Sequence, residues 1–518
     1  MLNKIKNALI SVSDKSELSK LVKALSKFNI NIISSGGTYN EIKKLGYECT
    51  ELSYYTGFEE MLDGRVKTLH PKIHAGILHD RGNQKHQIEM EKNNFPSIDL
   101  IVVNFYPFQK IVLEKNDTKK IIENIDIGGP TLVRAAAKNF ENVLIITSTK
   151  DYKSLIDEIE KNKGSSSSKY RKQMAAKAFA LTGYYDAMIS NWFNQELNIK
   201  FPERKLIFGR RIENLRYGEN PHQNASYYLS DYNDRVSGLK QIHGKELSFN
   251  NYNDILYGLE FSESFNNKNC TIIVKHASPC GVSINASQEK SFKNALASDP
   301  ISAYGGIVIC NYKMKEQVAK LINKIFIEVV LAKGFDSKSL AILKSKKNIR
   351  IIDTSKYLNK TNVNVKHFGN SFLMQDKNKI LLNKNKIQYV TKKKPNKTQM
   401  QELEFAFTVC KFVKSNAIVI TKDFSTIGIG GGQPNRLDSA DIAIKKAKQF
   451  NRKKLKNAFV ASDAFFPFAD GVKNLIKAGV RTFIQPGGSI RDDEVIKTVN
   501  QAKGCMILSR IRHFNHWF

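Results

Sequence analysis

Cysteine is scarce in this chain and never clustered. Six cysteines stand at positions 49, 270, 280, 310, 410 and 505, with no Cys-x-x-Cys pair among them. That spacing argues against a disulfide scaffold and a thiolate metal cage, and points to free thiols in a reducing compartment. Long apolar runs are missing too: no stretch approaches the roughly 20 residues a membrane span needs. The N-terminal MLNKIKNALISVSDKSE has basic residues and a short apolar patch, but no long apolar core and no small-residue cleavage site. It reads as the first strand of a domain, not as a signal peptide. A cytoplasmic location is the expectation. Acidic residues are few, 49 against 81 Lys and Arg, giving a formal net charge of +32. The excess is mostly Lys, spread along the whole chain, without zinc-finger spacing or an aromatic RNA-binding motif. A basic RNA-binding protein is therefore the weaker reading. A basic field that steers small anions into clefts is the more economical one.

At 518 residues the chain is too long for one ordinary domain. Its first third alternates strand and helix patterns. NALISVSD is a strand and turn, and KSELSKLVKALSKF is an amphipathic helix. NINIISSGG is a strand ending in a glycine turn, and TYNEIKKLG is a helix closed by Gly46. IDLIVVNFYPF is a buried strand stopped by Pro107, and NVLIITST is another. This order predicts an α/β domain with a parallel sheet. The run GSSSS from Gly164 reads as flexible, before a long helix in KYRKQMAAKAFALTGYYDAMISNWF. A boundary is expected near residue 200, before Pro202, giving domains 1–200 (core about 1–148) and 201–518. The second region repeats apolar strands that enter Gly- or Pro-rich turns, and suggests a duplication split near residue 370.

The segment Val274-Lys275-His276-Ala277-Ser278-Pro279-Cys280-Gly281 concentrates reactive groups. An apolar strand delivers a Lys–His pair into what reads as a Pro/Gly turn. It begins like a zinc deaminase signature, His-x-Glu then Pro-Cys-x-x-Cys, but Ser278 replaces the Glu and no second Cys follows Cys280. In the first domain, Ser34-Ser35-Gly36-Gly37-Thr38 joins a strand to a helix start. Such a turn presents free amides and hydroxyls to a phosphate, although a capped helix after a tight turn shares the pattern. Asp63-Gly64-Arg65-Val66-Lys67-Thr68-Leu69-His70-Pro71 gathers two cations, a hydroxyl and a His between turn formers. Tyr106 follows a buried strand. Asp126 precedes a Gly128-Gly129-Pro130 turn into a helix whose Arg134 and Lys138 lie on one face. A carboxylate, a lysine and a phenol beside a phosphate cradle can move protons.

RVKTLHPKIHAGIL, NFYPF, NIDIGGPTLVRAAAKN, LRYGENPHQ, VKHASPCG, SNAIV, SDAFFPF and QPGGSIRDDEVI together span nearly the whole chain. They resemble the bifunctional family that joins phosphoribosylaminoimidazolecarboxamide (AICAR) formyltransferase to IMP cyclohydrolase. The resemblance implies an N-terminal methylglyoxal-synthase-like domain and a C-terminal region of two cytidine-deaminase-like α/β units without zinc. It implies 10-formyltetrahydrofolate as co-substrate and no metal in the chemistry. AICAR, formyl-AICAR and IMP are the expected small molecules, in a homodimer without nucleic acid or membrane. For formyl transfer it implies His276 as base, Lys275 at developing oxyanion charge and Asn416 as a positioning group. Arg216, Tyr217, Gly305, Glu328, Arg436, Phe465, Asp470 and Arg512 match binding positions. For ring closure it implies Lys138, Asp126 and Tyr106 as proton movers. Ser13, Lys15, Ser35, Gly36, Gly37, Thr38, Arg65, Lys67, Thr68, Asn104, Gly128 and Gly129 match phosphate- and ribose-binding positions. Departures fall at Gly431-Gly432, where a small non-Gly residue is usual, and at Ala469, where Arg is common. Trp517 and Phe518 extend the family's tail.

Overall fold

The computed structural model describes every residue except 1, 115–116, 231–238, 266–267, 358–361 and 517–518. The Trp517–Phe518 extension thus lies outside the described residues. The chain divides into two compact units. One carries the described residues of 2–210, and the other Arg211–Leu229 and the described residues from 239 on.

The first unit is built on five parallel strands. Asn7–Val12 and Leu100–Asn104 are central neighbours. Asn31–Ser34 and Thr50–Glu51 follow on one side and Leu144–Ile146 on the other. Near-continuous apolar runs make four of these strands, because helices cover both faces and bury them; Thr50–Glu51 is a short polar edge. Strand order reverses between the two central strands. Ligands of open parallel sheets bind beyond the carboxyl ends at such a switch point, and here those ends lead to Ser13–Lys15 and Asn104–Tyr106. The Ser run expected to be flexible is instead a strand, Ser165–Ser167, paired antiparallel with Leu2–Lys4. Its order has a local cause. Buried Arg171 donates to the Ser166 carbonyl at 2.5 Å, and Glu158 accepts the Ser167 amide at 2.7 Å. Ser167 then caps the long helix Ser168–Glu196.

In the second unit one twelve-stranded sheet repeats a single topology twice. In the first half, the hairpin Cys270–Lys275/Ser278–Ile284 is flanked by Ile307–Cys310, antiparallel, then by Val329–Ala332 and Arg350–Asp353, parallel. In the second, the hairpin Ile418–Lys422/Ser425–Gly430 is flanked by Phe459–Ser462, then Thr482–Gln485 and Cys505–Leu508, in the same senses. The halves meet where Ser283 pairs with Ser425, their hydroxyls 2.8 Å apart.

The first hairpin corrects the expected Pro/Gly turn. Pro279, Cys280 and Gly281 lie in the returning strand, and the turn is His276–Ala277, with φ of 55° and 47°. Gly281 serves helix packing instead: a Cβ there would sit 1.9 Å from the Ala295 carbonyl oxygen. Gly428 in the second half meets the Ala443 carbonyl in the same way. The second turn, Asp423–Phe424, is left-handed too.

Each turn faces a carboxylate from the preceding helix. Asp254, on Phe249–Ser262, accepts the His276 and Ala277 amides at 3.1 and 2.6 Å. Glu402, on Lys397–Lys411, accepts the Phe424 amide at 2.7 Å. Burial pushes the Glu402 carboxyl up to about 7. An acid whose folded pKa exceeds its unfolded one loses stability as its proton leaves. The penalty is absent below the ordinary value of 4.5 and complete above about 7. Glu402→Gln keeps an acceptor for Phe424 and removes the charge. It is expected to raise the Tm above about pH 7 and to change it little below about pH 4.5, as calorimetry across that range would test.

Candidate active sites

At the switch point of the first unit, Asn104 Oδ1 accepts the Ser13 and Asp14 amides at 2.6 and 2.9 Å, and its Nδ2 donates to the Asp14 carbonyl. The loop carrying Lys15 is fixed by these bonds. Beside it begins the helix Gly36–Lys44, whose N-cap Ser35 makes no side-chain bond to the first-turn amides. A Cβ on Gly36 would lie 3.3 Å from Lys67 Nζ, and one on Gly37 3.6 Å from Lys15 Nζ. Two ammonium groups thus flank a glycine helix start, a geometry suited to a phosphate. A cavity of about 350 Å³ adjoins it, lined by Ser35, Lys67 and His70 with Phe58, Met61 and Val66. Thr38 is engaged elsewhere, since its hydroxyl donates to the Val12 carbonyl and accepts the Val12 amide, tying helix to sheet. Arg65 forms a 2.5 Å ion pair with Glu123.

The Gly128-Gly129 turn closes against the same region. A Cβ on Gly128 would meet the Thr68 hydroxyl at 2.4 Å, and one on Gly129 the Asp126 carboxylate at 2.5 Å. Asp126 Oδ1 accepts the Gly129 amide at 2.8 Å, while its own amide donates to the Tyr185 hydroxyl. Burial pushes the Asp126 carboxyl above its ordinary value, opposed by the Gly129 and Tyr106 backbone amides and by Lys67. A carboxyl held in this way can both take and give a proton. Tyr106 leaves its ring half in solvent, 51% exposed. Lys138 ends the helix that the glycine turn opens, Gly128–Lys138, with its side chain exposed after the buried Ala135–Ala137.

In the second unit, Lys275 and His276 reach a cleft of about 840 Å³. Lys245, Lys324, Lys346, Lys347 and Arg350 make its wall strongly basic, with Glu328 and Asp254 among them. Lys275 Nζ donates to the Tyr304 carbonyl at 2.8 Å. Gly305, at φ +72°, leaves room beside the Phe326 ring. Glu328 accepts from Asn251 Nδ2 at 3.1 Å and lies 3.8 Å from Arg350. Tyr217 lines the cleft, and the Arg216 guanidinium lies 5.5 Å over its ring. A second cleft, about 520 Å³, shares Lys275 and His276 and runs past Gly431–Gly432 to Lys414, Gln433 and Lys446. Asn251 and Asp254 escape a reading by motif. Their spacing of three within the helical FNNYND segment puts both on one face, and that spacing is the signal by which the sequence could have shown them.

The remaining expected residues lie around Arg436 and Asn416, next to the Gln433 end of the second cleft. Arg436 is buried and committed: it donates to Ser462 Oγ at 2.8 Å and to Asn416 Oδ1 at 2.7 Å, and pairs with Asp463. Asn416 Nδ2 donates to the Gln433 and Pro434 carbonyls at 2.9 and 3.0 Å. Around this knot Phe465, Asp470 and Arg512 are exposed, with Arg512 4.3 Å over the Phe514 ring. None of these five lines either cleft that holds His276. Among the described residues, no group of three or more His, Cys, Asp or Glu side chains is placed to hold a metal ion. No helix among them is long and apolar enough to cross a membrane.

Two family models match regions of this chain. The model of the AICARFT/IMPCHase bienzyme matches residues 136–446, and that of the MGS-like domain residues 17–131. The chain is similar to the bifunctional purine biosynthesis protein PurH of Bradyrhizobium diazoefficiens, 43% identical over 524 residues and 99% of each chain. It is equally similar to the PurH proteins of Persephonella marina and of a Thermoanaerobacter species, each 43% identical over 99% of this chain and 100% of the relative. These matches give no support to the RNA-binding reading of the charge. With more than half its length under one family model and nearly all of it under these relatives, the chain belongs to the AICARFT/IMPCHase bienzyme family.

Proposed function

We infer that this chain catalyses the last two steps of IMP synthesis: formyl transfer to AICAR, then closure of formyl-AICAR to IMP. The observation that carries the assignment of the first step is the hairpin delivery of Lys275 and His276 into a lysine-lined cleft. The 5-amino group of AICAR is conjugated into its ring and is a poor nucleophile, so a base must take its proton as it attacks. His276 is that base. The amine nitrogen bonds to the formyl carbon of 10-formyltetrahydrofolate, and the carbonyl electrons move to oxygen. Lys275 stabilises that oxyanion. The tetrahedral intermediate collapses, N10 leaves with a proton, and tetrahydrofolate departs.

In the second step the carboxamide nitrogen attacks the formyl carbon, and the carbinolamine loses water. Lys15, Lys67 and the amides of Gly36 and Gly37 hold the phosphate. Asp126, raised by burial, and Tyr106 move the protons. Lys138, exposed at the end of the helix that the Gly128-Gly129 turn opens, is proposed as the third proton mover.

We further propose that the formyltransferase sites are shared between two chains of a homodimer, in the cytoplasm. Two observations support sharing. The Asn416–Arg436 cluster does not line the clefts holding His276. Large apolar side chains are exposed beside both: Ile301, Tyr304 and Phe326 near the first, Phe465, Phe468 and Phe514 near the second. The six free thiols suit a reducing compartment.

His276→Ala is expected to lower formyl transfer by about 10²–10⁴-fold and to spare cyclisation of supplied formyl-AICAR. Asp126→Asn is expected to do the reverse. Loss of both steps from either folded variant would refute two separate sites. Mixed dimers of His276→Ala and Asn416→Ala chains should regain part of the lost formyl transfer, since one of their two sites is intact. Verified mixed dimers without any regain would put both groups in one chain's pocket.

A further inference from the structure

We propose that Asp254 is a positioning residue for formyl transfer: by accepting both amides of the His276–Ala277 turn, it aims the His276 side chain into the cleft. The inference rests on His276 being the base, and adds a residue that the sequence motif does not contain. Asp254 is 9% exposed, and each of its carboxylate oxygens is committed to one turn amide, at 3.1 and 2.6 Å. Neither turn residue is a glycine, although both hold positive φ. The backbone that sets the direction of His276 therefore depends on a partner outside the hairpin.

The second half supplies an internal control. Its hairpin has the same register: Lys422 faces Ser425 as Lys275 faces Ser278, with an irregularity at the same step. Its turn, Asp423–Phe424, carries no His, and Glu402 accepts only the Phe424 amide there. One framework thus holds two left-handed turns, and only one of them carries the Lys–His pair. Removing the carboxylate in the second half disturbs a framework, whereas removing it in the first also misdirects a base.

Asp254→Asn retains one acceptor and leaves the other amide unpaired. The expected result is a fall in kcat for formyl transfer of about 10²-fold, the scale of a misplacement near 1 Å, with KM for AICAR little changed and cyclisation by the same chain unaffected. Glu402→Gln should leave kcat unchanged. Ala277→Gly, which eases the left-handed turn, should recover part of the loss when combined with Asp254→Asn. In a His276→Ala background, Asp254→Asn should cost nothing further, because its effect passes through His276. Wild-type kcat in Asp254→Asn would overturn the proposal, as would an equal additional loss in the His276→Ala background. If Asp254→Asn does not fold, Asp254→Glu decides by the same readouts: it keeps the charge but shifts the turn. Full formyl transfer in His276→Ala would instead sink the assignment of the base, independently of Asp254.

Discussion

A left-handed turn without glycine has to be held from outside, and at His276–Ala277 the hold is one buried carboxylate. Each non-glycine residue in that conformation costs about 1–2 kcal/mol. Two hydrogen bonds to a charged acceptor contribute about 1.5–3 kcal/mol each, which is enough to offset the pair. The consequence is geometric. The strand Cys270–Lys275 ends, the chain reverses in two residues, and Lys275 and His276 reach the basic cleft side by side. The sheet around them exists in two copies, so the hairpin is supported on both sides. Small residues make the closeness possible: Gly281 and Gly428 let a helix carbonyl approach where any side chain would collide.

The first unit solves a related problem by other means. Its site needs no strained turn, because a parallel sheet already opens at its switch point. Asn104 ties two loops there with three hydrogen bonds, and two lysines converge on a helix start. Here charge does the orienting. In the proposed mode of binding, the phosphate end of a nucleotide meets Lys15 and Lys67, while Asp126, a few residues from the glycine turn it braces, has its proton affinity raised by burial. Both sites take substrates of one chemical kind, an imidazole or purine ribonucleotide. That is a use for the chain's positive charge which composition alone could not assign.

Much of this was legible in the sequence. Apolar runs placed four of the five strands of the parallel sheet, all but Thr50–Glu51, and a glycine motif marked the helix start at Gly36. The Lys275–His276 pair stood out beside a broken deaminase signature. What failed to show has physical reasons. Pro279 and Gly281 resemble turn formers, but Gly281 is required by the next helix, Gln288–Ser298, which packs its Ala295 carbonyl against it. Ser165–Ser167 has the composition of a linker, yet a buried arginine and a partner strand from the N-terminus order it. Thr38 and Arg436 matched binding positions, and both have their polar groups committed to the protein itself. Asp254 acts through backbone amides 22 and 23 residues ahead, a link that only the fold reveals.

The central claim is that one polypeptide performs formyl transfer and ring closure in succession. The most direct test supplies the purified full chain with AICAR and 10-formyltetrahydrofolate and follows IMP by its absorbance, with formyl-AICAR measured by chromatography. The account predicts IMP in proportion to the AICAR consumed, with tetrahydrofolate released alongside. Formyl-AICAR that accumulates without IMP, or AICAR that is not consumed at all, would contradict it.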